Sequence, residues 1–139
     1  MEENLRSLPN AMKIKAALAA NNGVARFIRH SSNTGRLDID NSKESVQVKI
    51  VRIGDVLPQH WDLAATYVKL DIEGAEYQVL PDTLKSGIRP AILVAEIHDF
   101  IRMGGQRLID KLQGAGYAVE VDGCGMEGYV CRQVFARLN

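Results

Sequence analysis

The rhythm of hydrophobic and polar positions changes part-way along the chain. Met12–Ala19 (MKIKAALA) alternates imperfectly and predicts a strand. Val24–His30 (VARFIRH) predicts a second strand. Between them stands Asn21–Asn22–Gly23, residue types that tolerate positive φ and favour a tight turn. The expectation is an N-terminal β-hairpin. Ser31–Ser45 is polar throughout and reads as a loop. Val46–Ile53 (VQVKIVRI) alternates with period two, as a half-exposed strand does, and Gly54–His60 is a short connection with room for one helical turn. From Tyr67 onward the pattern becomes longer and more apolar. Tyr67–Ile72 predicts a strand, and Ala75–Lys85 a helix interrupted by Pro81. Ala91–Ile97 (AILVAEI) is nearly continuous apolar, as expected of a strand covered on both faces. Gln106–Gly114 predicts an amphipathic helix with Leu108, Ile109 and Leu112 inside. Tyr117–Val121 and Tyr129–Arg137 predict two closing strands around a glycine-rich turn.

This order predicts an α/β fold: a mostly parallel sheet with antiparallel strands at its C-terminal edge. One domain accounts for all 139 residues, with a hairpin and strand region over 10–60 and an α/β core over 61–139.

Composition narrows the function classes. The formal net charge is zero, which gives no electrostatic pull toward nucleic acid or an anionic membrane. No apolar run approaches the roughly 18 residues that a membrane span needs. The segment MEENLRSLPN is acidic and has no apolar middle, so it does not resemble a secretory signal; residues 2–8 suit the last turns of a helix. The expected compartment is the cytoplasm. Cys124 and Cys131 flank Gly125–Gly128. A cross-hairpin disulfide fits that spacing, but two reduced thiols are the expectation for a cytoplasmic protein. Two cysteines without neighbouring histidines do not form a zinc motif.

The chemistry-bearing residues gather where two strands end. Asp71 closes the first strand, with Glu73, Gly74 and Glu76 just beyond it. Glu96 and His98 close the second and, being two apart, share one face. A β-α-β crossover makes the two strands parallel and puts both groups at one end of the sheet, where α/β folds bind ligands. Carboxylates inside apolar strands are costly unless they have a partner or a task. Carboxylates beside an imidazole can take a proton from a hydroxyl, or hold a divalent cation that acidifies it. The simpler reading of Glu73 and Glu76 is that they complement the helix dipole. There is no G-x-G-x-x-G after a strand, no P-loop and no G-x-S-x-G elbow.

VKLDIEGAEYQVL followed by ILVAEIH resembles the FkbM family of S-adenosylmethionine-dependent methyltransferases. IKAALAANNGVARFIRHSSNTGRL and VQVKIVRIGDVL are similar to the family's upstream strands, with Gly54 where an acidic residue is common. The resemblance implies a Rossmann-like methyltransferase sheet and O-methylation of a sugar or other small-molecule hydroxyl. It places Asp71, Glu96 and His98 as catalytic candidates and Glu73, Gly74 and Glu76 as substrate-binding candidates. It further implies that the glycine-rich cofactor cradle of the family lies upstream of anything matched here. The expected sheet is therefore incomplete, S-adenosylmethionine binding by this chain alone is weak or absent, and the Tyr67–Ile72 strand has an open edge. A second copy in a dimer, or a separate chain, is expected to cover that edge. Two other readings are a non-catalytic α/β scaffold module and a metal-dependent hydrolase built on Asp71, Glu96 and His98.

Overall fold

A computed structural model describes residues 10–29, 35–37, 45–58, 60–98, 104–126 and 129–139. The expected helical turns at 2–8 lie outside these residues, as does most of the 31–45 loop. The described residues form two four-stranded sheets. The first contains β1 (Ala17–Leu18), β2 (Gly23–Arg29), β3 (Gly35–Leu37) and β4 (Ser45–Val51), in the order β1-β4-β2-β3. The second contains β5 (Tyr67–Leu70), β6 (Ile92–His98), β7 (Tyr117–Met126) and β8 (Tyr129–Leu138), in the order β5-β6-β8-β7.

Both sheets are mixed, where the sequence suggested one largely parallel sheet. β1 with β4 and β5 with β6 are parallel, while the other four pairings are antiparallel. The reason lies in the connections. Parallel neighbours need a long crossover, whereas short turns return a strand antiparallel. The chain makes the crossover from β5 to β6 through a helix, then closes with the β7–β8 hairpin, whose second strand pairs with β6.

The expected hairpin of Met12–Ala19 with Val24–His30 is likewise replaced. β4 lies between β1 and β2, and β2 pairs with β3 and β4 instead. Asn22 explains the difference. Its side chain accepts the Arg52 N–H at 3.1 Å and donates to Asp55 at 2.7 Å. The asparagine therefore ties the start of β2 to the end of β4 rather than closing a two-residue turn onto β1. Arg52 leads into α1 (Ile53–Val56) and reaches α2 (Glu76–Lys85) with its guanidinium. Nε and Nη2 donate to the two Asp82 oxygens at 2.9 and 3.1 Å, and Nη2 donates to Ser86 Oγ at 2.7 Å. This fork joins the first sheet to the helix that follows β5.

The core lies under the second sheet. Leu93, Ala95 and Ile97 of β6 are buried at alternate positions, together with Val79 and Leu80 of α2 and Val134 and Ala136 of β8. Leu108, Ile109 and Leu112 of α3 (Gly105–Gly114) complete the cluster. The opposite face of β6 is only half covered, so this strand is not buried on both sides as its composition suggested. Pro81 lies inside α2 without ending it. Tyr117 anchors the start of β7, its hydroxyl donating to the buried Pro90 carbonyl at 2.9 Å.

Candidate functional site

Strand alternation decides which residues reach the site. Leu93, Ala95 and Ile97 point into the core, so Glu96 and His98 point to the other face. In the β6–β8 register, His98 lies opposite Cys131 and Glu96 opposite Gln133. β5 runs parallel beside β6 with Leu70 opposite Ala95, so the chain leaving β5 passes the end of β6.

That passage is a tight turn, Asp71–Ala75. Glu73 has φ +53°, an uncommon value for a side chain of this size, and Gly74 has φ +97°. Glu76 holds the turn in place. It is fully buried, and its two carboxylate oxygens accept the N–H groups of Ile72 and Gly74, each at 2.8 Å. Burial pushes the Glu76 carboxyl above its ordinary pKa, opposed by those hydrogen bonds and by the nearby His98 ring.

His98 is the hub. Its side chain is 6% exposed. Nε2 lies 3.4 Å from Glu96 Oε1 and 3.6 Å from Glu73 Oε2, and Nδ1 lies 3.8 Å from Glu76 Oε1. Asp71, Glu73 and His98 bring their polar atoms within 4.8 Å of one another, and so do Glu96, His98 and Cys131. Asp71 is exposed, while Glu73 and Glu96 are partly so. An imidazole ringed by four carboxylates, three of them at least partly open to solvent, can accept a proton and hold the resulting cation.

All the residues singled out from sequence thus converge at the ends of β5 and β6. One finds a different place from the one expected. Glu76 reaches no solvent, and its two oxygens accept backbone N–H groups, so it holds the turn. Cys131 is the site residue that sequence reasoning missed. It belongs to the β7–β8 hairpin in sequence, and only the register with β6 reveals that it faces His98. Cys131 is also disulfide-bonded, which corrects the expectation of two reduced thiols. Cys124, the chain's only other cysteine, stands directly opposite it in the β7–β8 register.

Residues 6–119 match the methyltransferase FkbM domain. The chain belongs to the FkbM methyltransferase family. No curated protein and no solved structure matches it. The FkbM match includes β5, the Asp71–Ala75 turn, α2 and β6, and therefore every residue of the His98 cluster except Cys131. No helix among the described residues is long and apolar enough to cross a membrane.

Use of S-adenosylmethionine is general in the FkbM family, and the turn after β5 tests whether these residues fit that cofactor. A strand-to-helix turn can offer its free N–H groups to a ligand carboxylate or phosphate. Here the N–H groups of Ile72 and Gly74 are already taken by Glu76. The turn is closed from within, and Ile72 and Gly74 offer no free N–H to a ligand.

Proposed function

We propose that the His98 cluster is the acceptor side of an S-adenosylmethionine-dependent O-methyltransferase acting on a sugar or other small-molecule hydroxyl. The observation that carries this reading is the meeting of Asp71, Glu73, Glu96 and His98 inside the segment that matches the FkbM domain. The donor supplies the methyl group when bound. What these residues do concerns the acceptor. Asp71 and Glu96, the more open carboxylates, accept hydrogen bonds from the hydroxyls and set their orientation. His98 Nε2, between Glu73 and Glu96, takes the hydroxyl proton, and the two carboxylates stabilise the imidazolium. Glu76 and the strained turn keep Glu73 beside the ring, a positioning role.

This reading takes donor affinity to be weak. The test supplies isotope-labelled S-adenosylmethionine at about millimolar concentration, where a weak site still fills. Sugars and hydroxylated small molecules serve as acceptors. The expected result is label in a methyl ether, at a rate that rises with donor concentration. Absence of transfer to every acceptor class, with the protein shown folded, overturns the reading.

The proposal extends to assembly. Among the described residues β5 has one strand neighbour, β6, and Tyr67 is exposed on it. A second copy, or a separate chain, pairs with that free edge.

A further inference from the structure

Glu96, His98 and Cys131 form a second constellation within the site, and methyl transfer makes no use of the sulfur. The Cys131 Sγ lies 3.1 Å from Glu96 Oε1, and the same oxygen lies 3.4 Å from His98 Nε2. In the disulfide this sulfur has no hydrogen to give, so the first distance is a close sulfur–oxygen contact rather than a hydrogen bond. Zinc bonds of about 2.0–2.1 Å to nitrogen or oxygen and about 2.3 Å to sulfur put tetrahedral ligands about 3.3–3.6 Å apart. Two of the three edges of this group are already close to that spacing, and the third is under 4.8 Å. Thiolate with imidazole is a donor set that suits zinc, whereas the carboxylate-rich Asp71, Glu73 and His98 group suits harder cations.

We propose that Glu96, His98 and Cys131 form a redox-gated site for zinc or a similar divalent metal, closed while Cys131 is disulfide-bonded and open when it is reduced. The inference does not rest on methyl transfer, since it concerns metal binding by the chain itself. The reduction consumes one external dithiol. Its two electrons and two protons convert the disulfide to two thiols, and the dithiol leaves oxidised. Metal binding then displaces the Cys131 thiol proton to solvent and forms a metal–thiolate bond. Three protein ligands leave a fourth tetrahedral position for water, and in this metal-loaded state His98 Nε2 no longer serves as a base.

The geometry explains why the oxidised state excludes the metal. A disulfide sulfur carries no negative charge and is a poor ligand, leaving one imidazole and one carboxylate. The register explains why reduction suffices. Cys131 is fixed opposite His98 by the β6–β8 ladder and is buried, so the freed thiol stays beside its partners.

The test uses the full chain and Co²⁺ as a spectroscopic stand-in for zinc, with competition by Zn²⁺. Reduced protein is expected to show the intense visible bands of tetrahedral cobalt with a thiolate-to-cobalt charge-transfer band, and oxidised protein neither. Cys131→Ser should lose the charge-transfer band and weaken Zn²⁺ binding on the order of a hundredfold or more, at least the upper range seen when a ligand's outer partner is lost. Cys124→Ser removes the chain's only other cysteine. It should bind cobalt with the thiolate band even without reductant, which keeps the test decisive should the buried Cys131→Ser variant fold poorly. Cobalt bound without a thiolate band, equal affinity in oxidised and reduced protein, or no binding by folded Cys124→Ser would each overturn the proposal.

Discussion

Replacing Glu76 by glutamine keeps the side chain's size and removes one property, its ability to accept from two donors at once. In the native turn both oxygens are used, by Ile72 N–H and Gly74 N–H. A glutamine oxygen satisfies one of them, while the amide NH₂ faces the other N–H, donor against donor. Leaving a buried donor unsatisfied costs about 1–3 kcal/mol. Burying a neutral amide instead of a carboxylate returns part of this, so the net loss is about 2 kcal/mol. For a chain of this size that lowers Tm by roughly 6–10 °C. Urea unfolding should show a lower midpoint with an unchanged slope. The pH dependence gives a second, independent check. Because the folded-state pKa of Glu76 is raised above the ordinary 4.5, the folded state holds this proton more tightly than the unfolded state does. The associated stability is fully present below pH 4.5 and is lost as pH rises through the folded-state pKa. The advantage of wild type over Glu76→Gln should therefore shrink above pH 4.5, by at most about 1.4 kcal/mol per pH unit. An advantage that grows over that window, or a Glu76→Gln cost under about 0.5 kcal/mol, would refute the reasoning.

Leu112, fully buried in α3, should cost about 3–5 kcal/mol when changed to alanine, read from the urea midpoint. At Glu73, whose φ is +53°, glycine should be more stable than alanine by about 1 kcal/mol, since neither keeps the carboxylate and only glycine relaxes the backbone. Sedimentation should find a dimer or larger species, with slow amide exchange over Tyr67–Leu70. A monomer exchanging rapidly there would contradict the covered β5 edge.

Much of the site was legible in the sequence because it rests on local rules. Period-two alternation placed Glu96 and His98 on one face, and the β-α-β crossover placed Asp71 beside them. What failed depends on pairing, which local pattern does not encode. The Asn21–Gly23 turn predicted a hairpin, but the two side-chain bonds of Asn22 attach β2 to the β4 end instead. The composition of Ala91–Ile97 suggested two covered faces, yet α2 and α3 both pack into the core on the Leu93, Ala95 and Ile97 side and the other face is half open. Cys131 was invisible as a site residue because its 33-residue distance from His98 vanishes only in the β6–β8 register. The burial of Glu76 was not written in the motif; the closed turn beside it takes both its oxygens.

The central claim is that His98 and the carboxylates around it act on the acceptor hydroxyl. The direct measurement is the methyl-transfer rate at saturating labelled S-adenosylmethionine, comparing wild type with His98→Gln and Glu96→Gln, each checked for native circular dichroism. The account predicts that His98→Gln lowers the rate by about 10²–10⁴-fold, the scale of a lost general base, with a smaller loss for Glu96→Gln. Transfer by folded His98→Gln at the wild-type rate would contradict it.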